Sequence, residues 1–175
     1  KLYNFKGLDG AYPTGLTIDK GTLYGITGAG GPSNKGTVFK LDKKGAMTVI
    51  YSFAGPESIE STGLIINEGI LYGTTLFGGF SGHGTVFELE HFGSLSVLYS
   101  FTGLEGANPS TGLIMDHNII YGITERGGSS DLGTVYEVDM SGNFSVLYNF
   151  KGPSEGATSS GLDMDKGLLY GITTP

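Results

Sequence analysis

The chain has 175 residues, enough for one domain with a sizeable core, and carries a net charge of −7 from 17 acids and 10 bases. That balance argues against non-specific binding of nucleic acid or anionic membranes, both of which call for a basic surface. It contains no cysteine, which excludes disulfides, zinc–thiolate sites and Cys nucleophiles, and no apolar run reaches the ~18 residues a membrane-spanning helix needs. Its 32 glycines are far above the usual share of ~7% but follow no period of three, so they read as turn punctuation rather than collagen.

Along the chain, the first predicted strand covers residues 2–6, with the aromatics Tyr3 and Phe5. Strands at 15–19 and 22–27 follow, joined by the tight turn Asp19-Lys20-Gly21, and a fourth lies at 36–42. The pattern then restarts. Thr48 to Phe53 is β-rich, with Val49, Tyr51 and Phe53 expected on one face and Ile50 on the other. Gly63 to Asn67, Ile70 to Thr75 and Gly84 to Glu90 complete the unit. The third unit repeats it, and the fourth has only its two inner strands, within 162–174. No stretch keeps apolar residues at helical spacing for three turns, so no helix is predicted.

The repeat is explicit. Tyr24, Tyr72, Tyr121 and Tyr170, each followed by Gly, fall 48, 49 and 49 residues apart. Gly-Leu pairs at 15, 63, 112 and 161 keep step, as do the aromatic pairs beginning at Tyr3, Tyr51, Tyr99 and Tyr148. A Gly-Thr-Val-aromatic element occurs only three times, from Gly36, Gly84 and Gly133. Approximate repeats are 1–48, 49–96, 97–145 and 146–175 within a single repeat domain. Short antiparallel strands at this period predict an all-β fold of tandem four-stranded antiparallel β-propeller blades, three complete and a fourth partial. A β-solenoid-like array is the alternative. The chain begins at Lys1 inside a repeat, and an upstream segment is expected to have been removed or left out.

The pattern Gly-Leu-Ile-x-Asp, Leu-Tyr-Gly-x-Thr, Gly-Thr-Val-Phe-x-Leu and Val-Leu-Tyr-Ser-Phe-x-Gly resembles the gloeo/Verruco-type extracellular tandem repeat of bacterial proteins, over essentially the whole chain. Departures are small: Asn67 replaces the Asp at 19, 116 and 165, and Tyr136 replaces Phe. The resemblance implies a secreted or surface-displayed β-propeller-like protein and brings no catalytic residues.

Chemical motifs are sparse. The stretch Gly31 to Thr37 and its two copies imitate a phosphate-binding loop but lack the Lys before Thr and precede strands. The histidines His83, His91 and His117 lie in separate loops, which gives no metal set. The recurring acids Asp9, Glu57 and Glu105, with Glu155 close to the same position, read as loop structure rather than a glycosidase pair. Asn143-Phe144-Ser145 fits a glycosylation sequon. The strand aromatics Phe53, Tyr72, Phe101 and Tyr121 read as inter-blade core. No catalytic group, metal or cofactor is expected.

Antiparallel order puts both long connections of each unit at one end of the sheet. That loop face offers Tyr12, Phe77, Phe80, His83, Glu125, Arg126 and Asp131 as speculative binding residues for a glycan or protein ligand. The terminal strands offer assembly edges, Leu2, Tyr3 and Phe5 at one end and Leu169, Tyr170 and Ile172 at the other. The expected function is therefore an extracellular structural or interaction module that partners itself or further repeats of a parent chain. A carbohydrate- or peptide-binding propeller is the alternative, and a glycosidase or lyase the weaker one.

Overall fold

The computed structural model describes residues 1–55, 63–90, 93–110, 112–152 and 158–174; Glu57, His91 and Glu155 lie outside them. Every element within the described residues is a strand. The first sheet runs β1 (Ala11–Asp19), β2 (Thr22–Ala29), β3 (Thr37–Leu41) and β4 (Met47–Ser52) in that order, all antiparallel. The second repeats it with β5 (Leu64–Asn67), β6 (Ile70–Thr75), β7 (Thr85–Leu89) and β8 (Leu95–Ser100). The third has β9 (Ala107–Pro109) and β10 (Ile114–Asp116) both paired with β11 (Ile119–Arg126), then β12 (Thr134–Asp139) and β13 (Phe144–Asn149). A final hairpin joins β14 (Thr158–Asp165) to β15 (Leu168–Thr174). Sequential hairpins of this kind are blades, not the parallel coils of a solenoid.

The turns explain the hairpins. Lys20-Gly21, Glu68-Gly69 and Lys166-Gly167 all have positive φ, the conformation whose twist matches that of the flanking strands. At Asp42 and Asp139 a side-chain carboxylate accepts backbone N–H bonds across the outer turns, from Ala46 and Asn143 among others.

The blades pack face to face. Leu64, Leu71, Phe87 and Leu89 of the second sheet meet Ile26, Val38 and Phe53 of the first in one buried cluster. Leu113, Ile120, Tyr136 and Val138 of the third meet Tyr72, Val86 and Phe101 of the second in another. Inner strands neighbour one another in turn, β5 on β1 and β2, and β14 on β10 and β11. Neither β14 nor β15 packs to a comparable extent on β1 or β2.

Three expectations are corrected. Residues 2–6 form no strand, because no neighbouring strand pairs with them. They nevertheless lie where the outer strand of a preceding blade would lie: a Cβ on Gly45 would come 3.0 Å from the Leu2 carbonyl, as one on Gly93 would come 2.7 Å from Ile50 and one on Gly142 2.6 Å from Leu98. Ile50 does not point away from Tyr51 and Phe53. A β-bulge opposite Val38 and Phe39 interrupts the alternation and turns Ile50 into the same cluster. Tyr121 is only half-buried, as is Tyr24 at the same position of the first sheet, so burial of this tyrosine is not a fixed property of the repeat, although Tyr72 is buried.

Candidate functional site

The loop face forms as antiparallel order requires, and hydrogen bonds tie its two long loops together. The Gly31 N–H donates to the Gly7 carbonyl and the Gly128 N–H to the Leu104 carbonyl, both at 2.8 Å. Beneath them sit buried threonine pairs, Thr27 with Thr37, Thr75 with Thr85 and Thr124 with Thr134, with Oγ1···Oγ1 separations of 3.1, 2.9 and 2.9 Å. Thr37 and Thr134 donate onward to the carbonyls of Asp9 and Glu105. This satisfied polar layer holds the loops rigidly on the blades.

The recurring acids are part of that scaffold. Tyr3 Oη donates to Asp9 Oδ2 at 2.5 Å, and Tyr99 Oη donates to Glu105 Oε1 at 3.0 Å. Each carboxylate also accepts a backbone N–H three residues upstream, from Lys6 and Thr102. Burial acts to raise the Glu105 carboxyl, but the Thr102 hydroxyl and backbone, with Tyr99, outweigh it and hold the group below its usual range. Asp9 is likewise lowered against the effect of burial by Tyr3 and the Lys6 N–H. Burial first, then the Glu105 carboxylate, pushes the Tyr99 phenol up to about 12. The sequence signal for this clamp was the six-residue spacing from outer-strand tyrosine to loop acid, present but not read as a pair.

The speculative binding residues divide into three groups. Asp131 is a loop cap: its Oδ1 accepts the Gly127 N–H at 2.8 Å, as Asn34 does from Gly30, and Arg126 lies 3.7 Å away as an exposed ion pair. His83 belongs to a blade junction, and Tyr12 is the repeat counterpart of the residue that meets it there. The His83 carbonyl accepts the Asn108 N–H at 2.9 Å, and the Asn108 side chain donates to the Leu76 carbonyl, so that residue clasps the preceding blade's loop. Tyr12 occupies the equivalent position of the first sheet with the same positive φ, 55° against 56°, and is exposed. Phe77 and Phe80 project freely, Phe80 at 98% exposure, and Glu125 is exposed on β11. None of the described cavities is lined by these seven residues. Among the described residues no group of three potential metal ligands occurs. His117 is paired with Asp116 at 2.8 Å on the opposite, short-turn side.

The two ends carry the larger apolar feature. Leu16 and Ile18 on β1 are each 64% exposed, whereas Leu64 and Leu113, the counterparts of Leu16, are 6% and 4% exposed, and Ile66 and Met115, those of Ile18, are half-buried. On β15, Leu168, Tyr170 and Ile172 are exposed, whereas Tyr72 and Ile123 at matching positions are buried. The first face is that of the first sheet, against which only residues 1–5 lie, and the second is the outward face of the final hairpin. Leu2, Tyr3 and Phe5 line a cavity with Leu16, Leu23 and Phe39 at the first end. Leu169, by contrast, turns inward to the third sheet.

The Gloeobacter/Verrucomicrobia repeat model matches residues 1–175. Curated proteins gave no sequence match. Among solved structures, a streptogramin B lyase aligns at 14% identity and TM-score 0.62, over 95% of this chain and 56% of that one. A gluconolactonase from Xanthomonas campestris aligns at 16% and 0.61, over 94% and 57%. The computationally designed Ika4 protein aligns at 19% and 0.58, over 100% and 98%. The chain thus spans a little over half the length of the two enzymes. These likenesses carry the propeller-like fold and nothing of their chemistry.

Proposed function

The chain belongs to the Gloeobacter/Verrucomicrobia repeat family, and on that premise we propose that it is an extracellular structural or interaction module which associates end to end with further units. The observation that carries this reading is the contrast between Leu16 on one end face and Leu64 and Leu113 at the same repeat position inside the array. Exposed apolar surface of this extent, built to a geometry that the chain itself buries twice, favours association with a like surface. Contact between unlike ends is heterologous, giving a ring where the rotation closes and a filament where it does not. The extracellular placement draws support from the family resemblance alone.

The test is sedimentation velocity over a range of concentrations, on the chain and on Leu16→Glu and Tyr170→Glu variants. Association that grows with concentration and is lost in the variants supports the module. A monomer at every concentration, with both terminal segments protected from hydrogen exchange, points instead to closure of the ends on each other.

A second reading is a binding propeller that uses the loop face, favoured by the outward projection of Phe77 and Phe80 from a rigid base. A glycan array on the wild type and a Phe77→Ala/Phe80→Ala double variant decides it. An enzyme of the lyase or glycosidase type is the weakest reading, since the recurring loop acids that are described serve as clamps.

A further inference from the structure

On the short-turn side of the first sheet, opposite the loop face, lies a cavity of about 300 Å³ lined by Thr22, Tyr24, Lys40, Asp42, Ala46 and Thr48. All six belong to one complete four-stranded sheet and its turns. Strand register gathers them: Tyr24 on β2 stands opposite Lys40 on β3, and Lys40 opposite Thr48 on β4.

Three of the six depart from the other copies. Lys40 stands where the second and third sheets have Glu88 and Glu137, Thr22 where they have Ile70 and Ile119, and Ala46 where they have Ser94 and Asn143. Each departure makes the cavity more polar or more open. Ile70 packs against the buried cluster between the second and third sheets, whereas threonine supplies a hydroxyl. In the third sheet Asn143 Nδ2 donates to Asp139 Oδ2 at 2.8 Å and occupies that oxygen. Asp42 matches Asp139, and its Oδ1 accepts the N–H groups of Lys44 and Ala46, each at 2.8 Å. Ala46 has no amide to give Asp42 Oδ2, so that oxygen is left as an acceptor. Lys40 reverses the charge of its position, and among the described residues its ammonium forms no ion pair.

The wider charge distribution points the same way. Residues 1–48 hold seven of the ten basic residues and three acids, whereas residues 49–145 hold eleven acids and one arginine. The first sheet is thus the part of an acidic chain whose field favours an anion. The anion cannot be a bare one, because the Asp42 carboxylate faces the same cavity as Lys40. A lysine that only donates, a carboxylate that only accepts and two threonines that do both call for one negative charge among several hydroxyls. Tyr24, half-buried on the core cluster, adds an aromatic surface. The volume sits at the low end of the ~300–1,000 Å³ of small-molecule sites, the scale of a single ring with its substituents.

We propose that this cavity binds a carboxylated sugar of the uronic acid class. Lys40 Nζ pairs with the sugar carboxylate, Asp42 Oδ2 and the Thr22 and Thr48 hydroxyls take ring hydroxyls, and Tyr24 lies against the C–H face of the ring. The site is separate from the loop face and from the ends of the array.

The test is saturation-transfer NMR on the full chain with D-glucuronate and D-galacturonate as probes. Their methyl esters keep the hydroxyls and lose the charge, and inorganic phosphate keeps a charge without the ring. At least one uronate should bind saturably, its ester about tenfold more weakly or worse, and phosphate should not compete. Lys40→Glu and Ala46→Asn install residues that other sheets carry at those positions, and each should weaken uronate binding about tenfold or more. Lys151→Glu, the same change of net charge at an exposed residue beyond β13, should leave it unchanged. The ester arm keeps the test valid even where a protein variant misfolds. No binding of either uronate at about 10 mM, equal binding of the ester, competition by phosphate, or unchanged binding in both cavity variants overturns the site. Saturation transfer reads a monomer and an assembly alike, so the outcome does not turn on end-to-end association.

Discussion

The Phe5 ring stands edge-on to Phe39, with centroids 5.0 Å apart and planes at 72°. Phe53 stands in the same way to Phe87 at 5.8 Å, and Phe101 to Tyr136 at 5.2 Å. The same joint is therefore made three times, twice between complete blades and once between the first blade and a segment that pairs with no strand. The joint does not depend on the outer strand's own sheet. It depends on the aromatic pair and on the glycine beneath the receiving ring.

Truncation of that pair should show the difference between a covered and an uncovered joint. Phe53→Ala and Phe101→Ala, both fully buried, should each cost about 3–5 kcal/mol in urea unfolding. Phe5→Ala, at a half-buried site, should cost markedly less. Equal losses at all three would mean that the first joint is covered in solution by something further.

The glycines under the rings should tolerate no side chain. Gly73→Ala would drive a methyl into the Phe87 ring, and overpacking of this kind costs about 1–3 kcal/mol. Gly112→Ala, which meets nothing within 4 Å, should leave the midpoint of unfolding unchanged within error.

Two departures from the repeat should prove destabilising. Thr74 Oγ1 and Tyr136 Oη are the buried side-chain polar atoms without a hydrogen-bond partner among the described residues. Each sits where the other copies are apolar: Ile26 and Ile123 match Thr74, and Phe39 and Phe87 match Tyr136. Both face the joint between the second and third sheets. Leaving a buried hydroxyl unsatisfied costs ~1–3 kcal/mol, so Thr74→Ile and Tyr136→Phe should each raise stability by about 1 kcal/mol. A loss of stability in either would show that the hydroxyl finds a partner in solution.

The tyrosine–carboxylate clamps predict the pH limits of stability. Glu105 and Asp9 have lowered pKa values, so their contribution is present above the usual carboxylate range and is lost as pH falls through the folded values. Tyr99 titrates near 12 against an ordinary value of 10.0, so its contribution holds below pH 10 and fades as pH rises toward 12. Unfolding midpoints measured across pH should fall at both limits. Glu105→Gln should flatten the acid limb and shift the Tyr99 phenol titration downward, as ultraviolet absorbance would record.

The sequence by itself determined the unit and its repetition. Strand length and turn chemistry are set by near neighbours, and a period of 48 or 49 residues repeats them along the chain. The equality of the loops at one end followed from antiparallel order alone. What the repeat could not state is which copy lacks a neighbour. Leu16 and Leu64 read alike in sequence and differ tenfold in exposure, because burial belongs to the joint between blades and not to the strand. For the same reason Tyr12 stands exposed where its counterpart Asn108 clasps a neighbouring loop, and residues 2–6 hold the place of a strand without pairing as one. The bulge at Ile50 and the Tyr99–Glu105 clamp also came only with tertiary structure: each depends on an atom brought close by the fold, at a position whose residue type permits several partners.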